Sequence, residues 1–243
     1  MSVQRPDPAR DAATLSAATE RLIDSVAALP ATAVAEPSLL PGWTRGHVLA
    51  HLARNADALR NLLTWARTGE ETPMYPDGEV RDKEIDDGAG RPLAEHVDDL
   101  RSSAERFALA AAEISPQAWA AQVRMRSGKV IAAAEVPWRR LVEVHFHHVD
   151  LGIGYGFDDL PAEFTGRQLD ALLDGLSGHE GVAAVRVRDT GSGATWDLGA
   201  ATEPELTVSG TGNALLAWVG GRAKGEGLTT DPDLPLPVLP PLI

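Results

Sequence analysis

The organisation of this chain follows from one stretch near its middle, Val142-Glu143-Val144-His145-Phe146-His147-His148-Val149-Asp150-Leu151. If this stretch is helical, Glu143 and His147 share one face because they are four residues apart, whereas His145 points well away from both. A carboxylate and an imidazole side by side on a helix are two ligands of a metal site that needs one or two more from a facing helix. Taken alone, however, this spacing favours an ion pair or a solvated, histidine-rich surface.

A second polar row upstream favours the metal interpretation. His47, His51 and Asn55 follow one another at steps of four residues on a predicted helix that runs from Thr44, its N-cap, to about Thr68. Side chains at this spacing lie along one face of the helix. That face is therefore able to meet the face that carries the carboxylate and imidazole of the later stretch.

Together the two stretches provide four candidate ligands: His47, His51, Glu143 and His147. Two histidines and one carboxylate leave an open coordination position on zinc, which is the arrangement of a catalytic site. His51 is favoured because it lies one turn inside the helix among leucines. His47 lies in the first turn and is interpreted as an exposed residue, as support for the ligands or as a substrate contact. Zinc is inferred from the ligand types, and other divalent ions fit the same ligands.

Apolar residues recur at intervals of three and four in four long segments, which predicts four helices. The predicted helices span residues 8–29, 44–68, 92–114 and 137–153. Residues 69–91 are rich in Gly, Pro, Asp and Glu and are interpreted as a long loop, of a length that is often functional. The segment between the third and fourth helices has a hairpin signal at Ser127-Gly128. Four helices with facing polar rows indicate a bundle with a polar site inside.

The pattern changes in the C-terminal third of the chain. It predicts a helix over 161–177, strands over 182–188, 194–198 and 205–209, and a helix over 211–219. We interpret the three strands as antiparallel. The predicted fold class is α+β, with a helical bundle over residues 1–156 and a smaller C-terminal α+β domain over residues 157–243.

Composition excludes several classes of partner. The chain has 243 residues, 44% of them hydrophobic, which is enough for a buried core, and a net charge of -13. Without a run of Lys and Arg, it offers no basic face to nucleic acid or to an anionic membrane. A small anionic substrate remains compatible if an arginine is placed locally against the overall field. We expect a monomer or a weak homo-oligomer.

The chain contains no cysteine, which excludes disulfides, thiolate metal ligands and a protein thiol nucleophile. Any sulfur chemistry must therefore use a thiol from outside the protein. No apolar run reaches the roughly 18 residues of a spanning helix, and the N-terminus lacks a signal-peptide core. These features predict a cytoplasmic protein.

Three motifs resemble one known family. They are Leu39-Leu40-Pro41-Gly42-Trp43-Thr44-Arg45-Gly46-His47-Val48-Leu49-Ala50-His51, Gly69-Glu70-Glu71-Thr72-Pro73-Met74-Tyr75 and Glu143-Val144-His145-Phe146-His147-His148-Val149-Asp150-Leu151-Gly152. The predicted bundle is similar to the DinB-like metalloprotein superfamily. The second motif and the C-terminal unit with Gly221-Arg222 resemble one branch, the mycothiol-dependent maleylpyruvate isomerases. The resemblance extends over nearly the whole chain.

The resemblance implies a DinB-like bundle in which His51, Glu143 and His147 bind one divalent metal. It also implies that Arg222 of the C-terminal domain is catalytic and binds substrate. The sequence around Arg222 alone favours an ordinary surface residue after a helix end. The histidines at 145 and 148 depart from the family pattern.

Three further residues are possible substrate contacts or supports of the ligands: His47, Tyr75 and Asp150. We interpret Asp150 as a structural acceptor or a support of the ligands, since it lies nearly a turn beyond His147.

The implied activity is cis-trans isomerisation of maleylpyruvate to fumarylpyruvate in the gentisate pathway of aromatic catabolism. Mycothiol would be the thiol cofactor, and Zn²⁺ or another divalent metal would hold its sulfur as a thiolate. Reversible addition of that thiolate makes a double bond temporarily single, so that the bond can rotate. Two alternatives remain open: a mycothiol S-transferase that acts on another electrophile, and a non-catalytic binding protein that retains the bundle.

Overall fold

The computed structural model describes residues 6–200 and 203–240. The chain divides into two compact units, with the boundary between Tyr155 and Gly156. The predicted domains also include residues 1–5, 201–202 and 241–243, which lie outside the described residues. In the described part, no helix combines the length and the apolar composition that a membrane-spanning segment requires.

The first unit is built on α-helices. They are α1 (Pro8–Ala27), α2 (Arg45–Thr68), α3 (Gly78–Ala89), α4 (Leu93–Ala112) and α5 (Val136–Asp150). The long helices α1, α2, α4 and α5 form a bundle in which α1 and α2 each pack against both α4 and α5. All four correspond to helices predicted from the apolar periodicity.

Local signals explain where these helices begin and end. The Asp7 side chain accepts a hydrogen bond from the backbone of α1, and the Thr44 side chain does the same for α2. Gly69 ends α2 with a φ of 77°, a left-handed conformation that glycine adopts without strain. Pro137 lies in the first turn of α5, where its missing N–H has no helical partner to lose.

The predicted loop over residues 69–91 is wrong in one respect, because α3 occupies its second half. Asp77 caps this helix by accepting a hydrogen bond from the Val80 backbone at 2.7 Å. Ile85 and Ala89, four residues apart, are buried, and α3 packs on α2. Apolar residues are few and charged residues are frequent in this segment, so the apolar periodicity did not predict the helix.

The hairpin predicted at Ser127-Gly128 is present. Its strands are β1 (Gln122–Arg124) and β2 (Val130–Ala132), which pair antiparallel. Gly128, at a φ of 85°, forms the turn.

The second unit packs helices with a four-stranded sheet. Its elements are β3 (Val185–Asp189), β4 (Thr195–Leu198), β5 (Leu206–Gly210), β6 (Thr229–Asp231), α6 (Ala162–Leu173) and α7 (Gly212–Val219). The strand order is β4-β3-β5-β6, and α7 packs against α6 and β5. Strand β6 had no signal in the sequence beyond an extended tail.

The interpretation of all three predicted strands as antiparallel is wrong for one pair. β3 and β4 are antiparallel, but β5 lies beside β3 and runs parallel to it, with Val187 opposite Val208. Period-two burial shows which face of a strand is covered, but it does not show which edge of the sheet the next strand joins. The chain reverses its direction between β3 and β4 and again between β4 and β5. β5 therefore runs in the same direction as β3, and it pairs with the edge of β3 that β4 leaves free.

Candidate metal centre

Helix α2 carries His51 into the interior of the bundle. Only 5% of His51 is exposed, and the neighbouring Leu49 and Leu52 are fully buried. A buried imidazole needs polar partners, because burial without hydrogen bonds costs free energy. His51 finds its partner on α5.

Helix α5 presents Glu143 and His147 one turn apart on the face toward His51. The Nε2 atom of His51 lies 3.1 Å from Glu143 Oε2, and the Nε2 atom of His147 lies 3.3 Å from the same oxygen. One ligand atom from each residue lies within 4.8 Å of the other two. The centroids of the His51 and His147 rings are 4.6 Å apart, and the planes of the two rings lie at 84° to each other. We call these three residues the triad.

Arg45 connects the two helices that carry the triad. Its Nε donates to the Leu151 carbonyl at 2.8 Å, and its Nη2 donates to the Gly152 carbonyl at 3.2 Å. These carbonyls lie at the end of α5, where the last carbonyls of a helix have no helical partner. The first turn of α2 is thereby tied to the last turn of α5, which sets the register between His51 and the other two triad residues.

Asp150 orients the His147 ring. Its Oδ2 lies 2.9 Å from His147 Nδ1, and the carboxylate is fully buried. Because a carboxylate can only accept, Nδ1 carries a proton, and the other ring nitrogen, Nε2, faces the triad. This is the geometry in which a carboxylate orients a metal-binding histidine.

The charges of the triad explain its pKa shifts. Burial lowers the pKa of His51, and the Glu143 hydrogen bond only partly opposes it. Burial would raise the pKa of Glu143, but hydrogen bonds from His147 and His51 outweigh it and hold this pKa well below its usual range. Burial also opposes a charge on His147, yet Asp150 and Glu143 raise its pKa above 6.5.

The donor set fits a divalent cation. A neutral His147, protonated at Nδ1, directs the lone pair of Nε2 at Glu143 Oε2, and two acceptors at 3.3 Å repel each other. A second proton on the ring, or a cation between the two atoms, removes that repulsion. Two imidazole nitrogens and one carboxylate oxygen at this spacing are a ligand set of zinc and similar ions that leaves a position for an exogenous ligand.

Helix α3 contributes a residue that sequence reasoning missed. Arg81 Nη2 lies 3.3 Å from His51 Nδ1. Burial raises the pKa of Tyr75, while the charge of Arg81 opposes that shift and Glu143 adds to it. Tyr75 and Arg81 therefore both lie near the triad. The available signal for Arg81 was its spacing of four from Ile85, which puts both on the face that packs against α2.

His47 lies outside the triad. Its Nδ1 accepts from the Thr44 backbone N–H at 3.2 Å, and the Thr44 hydroxyl accepts from the His47 backbone, which makes a reciprocal cap for α2. Its Nε2 lies 3.7 Å from Asp86. His47 thus stabilises the start of the helix one turn before His51.

The histidines at 145 and 148 also lie apart from the triad. His145 Nδ1 lies 3.1 Å from the Tyr155 hydroxyl, and the His148 ring stacks on Tyr155 with centroids 3.9 Å apart. Burial lowers the pKa of His145 to about 4. Both residues serve the packing of the end of α5.

Arg222 belongs to the second unit. It follows α7 and the turn at Gly220-Gly221, is half-buried, and donates from Nη1 to the Gly220 carbonyl at 2.9 Å.

Comparisons with known proteins identify the family and the fold of the chain. The family model of the mycothiol maleylpyruvate isomerase N-terminal domain matches residues 15–152. The crystal structure of a mycothiol-dependent maleylpyruvate isomerase is 30% identical in sequence, with a TM-score of 0.88 and 96% of each chain covered. A histidine-to-alanine mutant of such an isomerase gives 29% identity, a TM-score of 0.87 and the same coverage. A search of curated protein sequences gives no match.

A more distant likeness concerns the fold alone. YfiT from Bacillus subtilis, described as a probable metal-dependent hydrolase with an unusual four-helix bundle topology, is 18% identical with a TM-score of 0.52. The likeness covers 62% of this chain and 87% of that protein.

The fold is therefore a DinB-like four-helix bundle followed by an α+β part, as the sequence predicted. The chain belongs to the mycothiol maleylpyruvate isomerase family, and the resemblance seen in its motifs is confirmed. Membership of this family makes it an enzyme of the isomerase class.

Proposed function

We propose that this enzyme is a mycothiol-dependent isomerase that converts maleylpyruvate to fumarylpyruvate, in the gentisate route of aromatic catabolism, and that the triad holds one divalent metal, zinc by preference. The observation that carries the proposal is the convergence of His51, Glu143 and His147 on one point in a member of this family. The absence of cysteine supports it, because a thiol-dependent reaction must then take its sulfur from a small molecule.

The bound metal would keep the mycothiol sulfur as a thiolate, whose reversible addition to the substrate makes a carbon-carbon double bond single for long enough to rotate. The residues of the chain have separate tasks. Glu143 supplies the negative charge that a cation needs, and Asp150 holds the proton of His147 on Nδ1 so that Nε2 is free to coordinate. His51 lies deepest and anchors the site to the bundle.

The proposal assigns the substrate carboxylate to Arg222. A guanidinium binds a carboxylate through two parallel hydrogen bonds, and it would also stabilise the negative charge that develops when a thiolate adds. Tyr75 is assigned a substrate contact, since it lies near Arg81 and Glu143.

A matched pair of variants on α2 tests the proposal. His51→Ala removes a proposed ligand, whereas His47→Ala removes an imidazole one turn earlier that caps the helix. Elemental analysis should find about one metal per chain in the wild type and in His47→Ala, and background metal in His51→Ala. The ultraviolet spectrum of maleylpyruvate should change only with mycothiol present, and only with the two proteins that hold metal.

Turnover without thiol, or equal activity of the two variants, would reject the proposal. Accumulation of a stable thioether in place of fumarylpyruvate, detected by mass spectrometry, would identify an S-transferase instead.

A further inference from the structure

A cavity lies in the bundle, between α1 and α4. Its volume is 580 Å³, within the range of small-molecule pockets. Most of its wall is apolar, and includes Leu15, Ile23, Phe107 and Trp119. Arg140 of α5 also lines it. The cavity therefore combines an apolar body with a single deeply placed charge.

Arg140 is buried without a counter-ion. Only 2% of the residue is exposed, and within the described residues its one hydrogen bond runs from Nη1 to Asn55 Oδ1, at 2.8 Å, with no ion pair. A guanidinium has five N–H donors, and a neutral amide oxygen does not balance its charge. Burial accordingly lowers the pKa of Arg140 to about 10.

Other arginines of the bundle do find carboxylates. Arg106 makes two hydrogen bonds of 2.8 Å to Asp57, and Arg54 donates to Asp99 at 2.7 Å. Both are more exposed than Arg140, so they need a counter-ion less. The most deeply buried charge in this group is the one without an acid partner, which points to a partner that comes from outside the chain.

A supporting role toward the triad is the competing explanation. Arg140 lies three residues before Glu143, whose charge favours the protonated form of the arginine, and Asn55 lies four residues after His51. That role accounts for a positive charge near Glu143. It does not account for the contribution of Arg140 to the wall of a cavity of this size, nor for the four N–H donors that have no acceptor in the described part of the chain.

We propose that the cavity between α1 and α4 binds a small monocarboxylate with an apolar body, whose carboxylate pairs with Arg140. The ligand is a monoanion because two of the three exposed charged residues that line the cavity are acids, Glu20 and Glu105, which repel a second negative charge. The third, Arg101, already faces Asp98 at 3.9 Å. This site differs in ligand class from the triad, and the proposal does not depend on the isomerase reaction.

Calorimetric titration of the metal-loaded protein with two isosteric probes tests the site. 4-Phenylbutyrate carries the carboxylate, and 4-phenylbutan-1-ol is its neutral counterpart. The acid should bind roughly tenfold or more tightly than the alcohol, because a charge-assisted pair with a buried guanidinium is lost with the alcohol. An aromatic dicarboxylate of similar size, 4-(3-carboxypropyl)benzoate, should bind more weakly than the monoacid.

Three variants locate the binding. Arg140→Met should remove the preference for the acid. Ala104→Phe fills the cavity while it leaves Arg140 in place, and should abolish binding of both probes. Leu109→Phe, on the exposed side of α4, is the control and should bind as the wild type does.

Equal binding of acid and alcohol, no binding of the acid at millimolar concentration, or undiminished binding by Ala104→Phe would each overturn the proposal. Thermal melting of each variant verifies that it is folded. If Arg140→Met does not fold, Ala104→Phe still tests the proposal.

Discussion

Two charged side chains, the half-buried Glu143 and the buried Arg140, lie one turn apart on α5 and differ in how their charge is balanced. Glu143 is approached by two imidazoles, each able to bear a positive charge, whereas Arg140 is approached by the neutral amide of Asn55. The first arrangement is nearly balanced in charge and is able to hold a cation. The second leaves a charge unmatched within the described chain. The comparison teaches that the charge balance of a site indicates the sign of the ligand to propose for it: a cation at the triad and an anion at Arg140.

The most severe test of this contrast is Glu143→Gln, which keeps the shape of the side chain and removes its charge. Metal content should fall to background, and isomerase activity should fall about a thousandfold or more, since a metal contributes several kcal/mol to stabilising the reacting charge. Added zinc should raise the melting temperature of the wild type and leave that of the variant unchanged. A variant that still holds stoichiometric metal would show that the carboxylate is not a ligand.

A smaller effect is expected from Asp150→Asn, which leaves all three triad residues in place. The amide can donate to His147 Nδ1 and favour the wrong tautomer, so metal affinity should weaken about 10- to 100-fold. Competition with a chelator measures the change. Asp86→Asn is the control, because Asp86 is exposed and lies near His47 rather than the triad. Equal affinities of the two variants would contradict an orienting role for Asp150.

The pH dependence of metal binding sharpens the same point. Since the pKa of His147 is raised above 6.5, its ring must lose a proton before Nε2 can coordinate. Metal affinity should therefore be weak below pH 6.5 and should increase as pH rises through the raised pKa. In Asp150→Asn the main cause of the raised pKa is gone, so the increase should occur at lower pH. Affinity that is flat across this range would exclude His147 as a ligand.

The smallest effect concerns stability at Arg140. In ligand-free protein, Arg140→Met should leave the melting temperature unchanged or slightly higher, because replacing an unmatched buried charge with an apolar chain of similar size removes a desolvation penalty. Arg106→Met, by contrast, breaks the two hydrogen bonds to Asp57 and should destabilise by up to about 1 kcal/mol, a value kept small by the exposure of that pair. A large loss of stability in Arg140→Met would mean that the arginine has a structural partner.

The sequence predicted those features of the site that depend on spacing within a single helix. The spacing of Glu143 and His147, and the position of His51 one turn inside α2, could be deduced from helical geometry alone. The facing polar rows also indicated that His51 meets the α5 residues, but other partners on different elements were not predicted. Arg81 was missed because α3 is highly charged and begins at a glycine, and the parallel position of β5 depends on which sheet edge is free. The lack of an ion pair at Arg140 among the described residues is a property of the packed bundle, and no local sequence pattern predicts it.

Arg45 has a consequence for how this enzyme can vary. The three proposed ligands come from two helices, and the hydrogen bonds from Arg45 to the Leu151 and Gly152 carbonyls hold those helices at one longitudinal offset. Metal–ligand distances tolerate deviations of only a few tenths of an ångström. A substitution at Arg45 could therefore weaken metal binding even though all three proposed ligands are retained. A relative that keeps the three ligands but lacks Arg45 would then look active from its ligands while binding metal weakly. Position 45 is therefore a place where metal affinity can change in small steps.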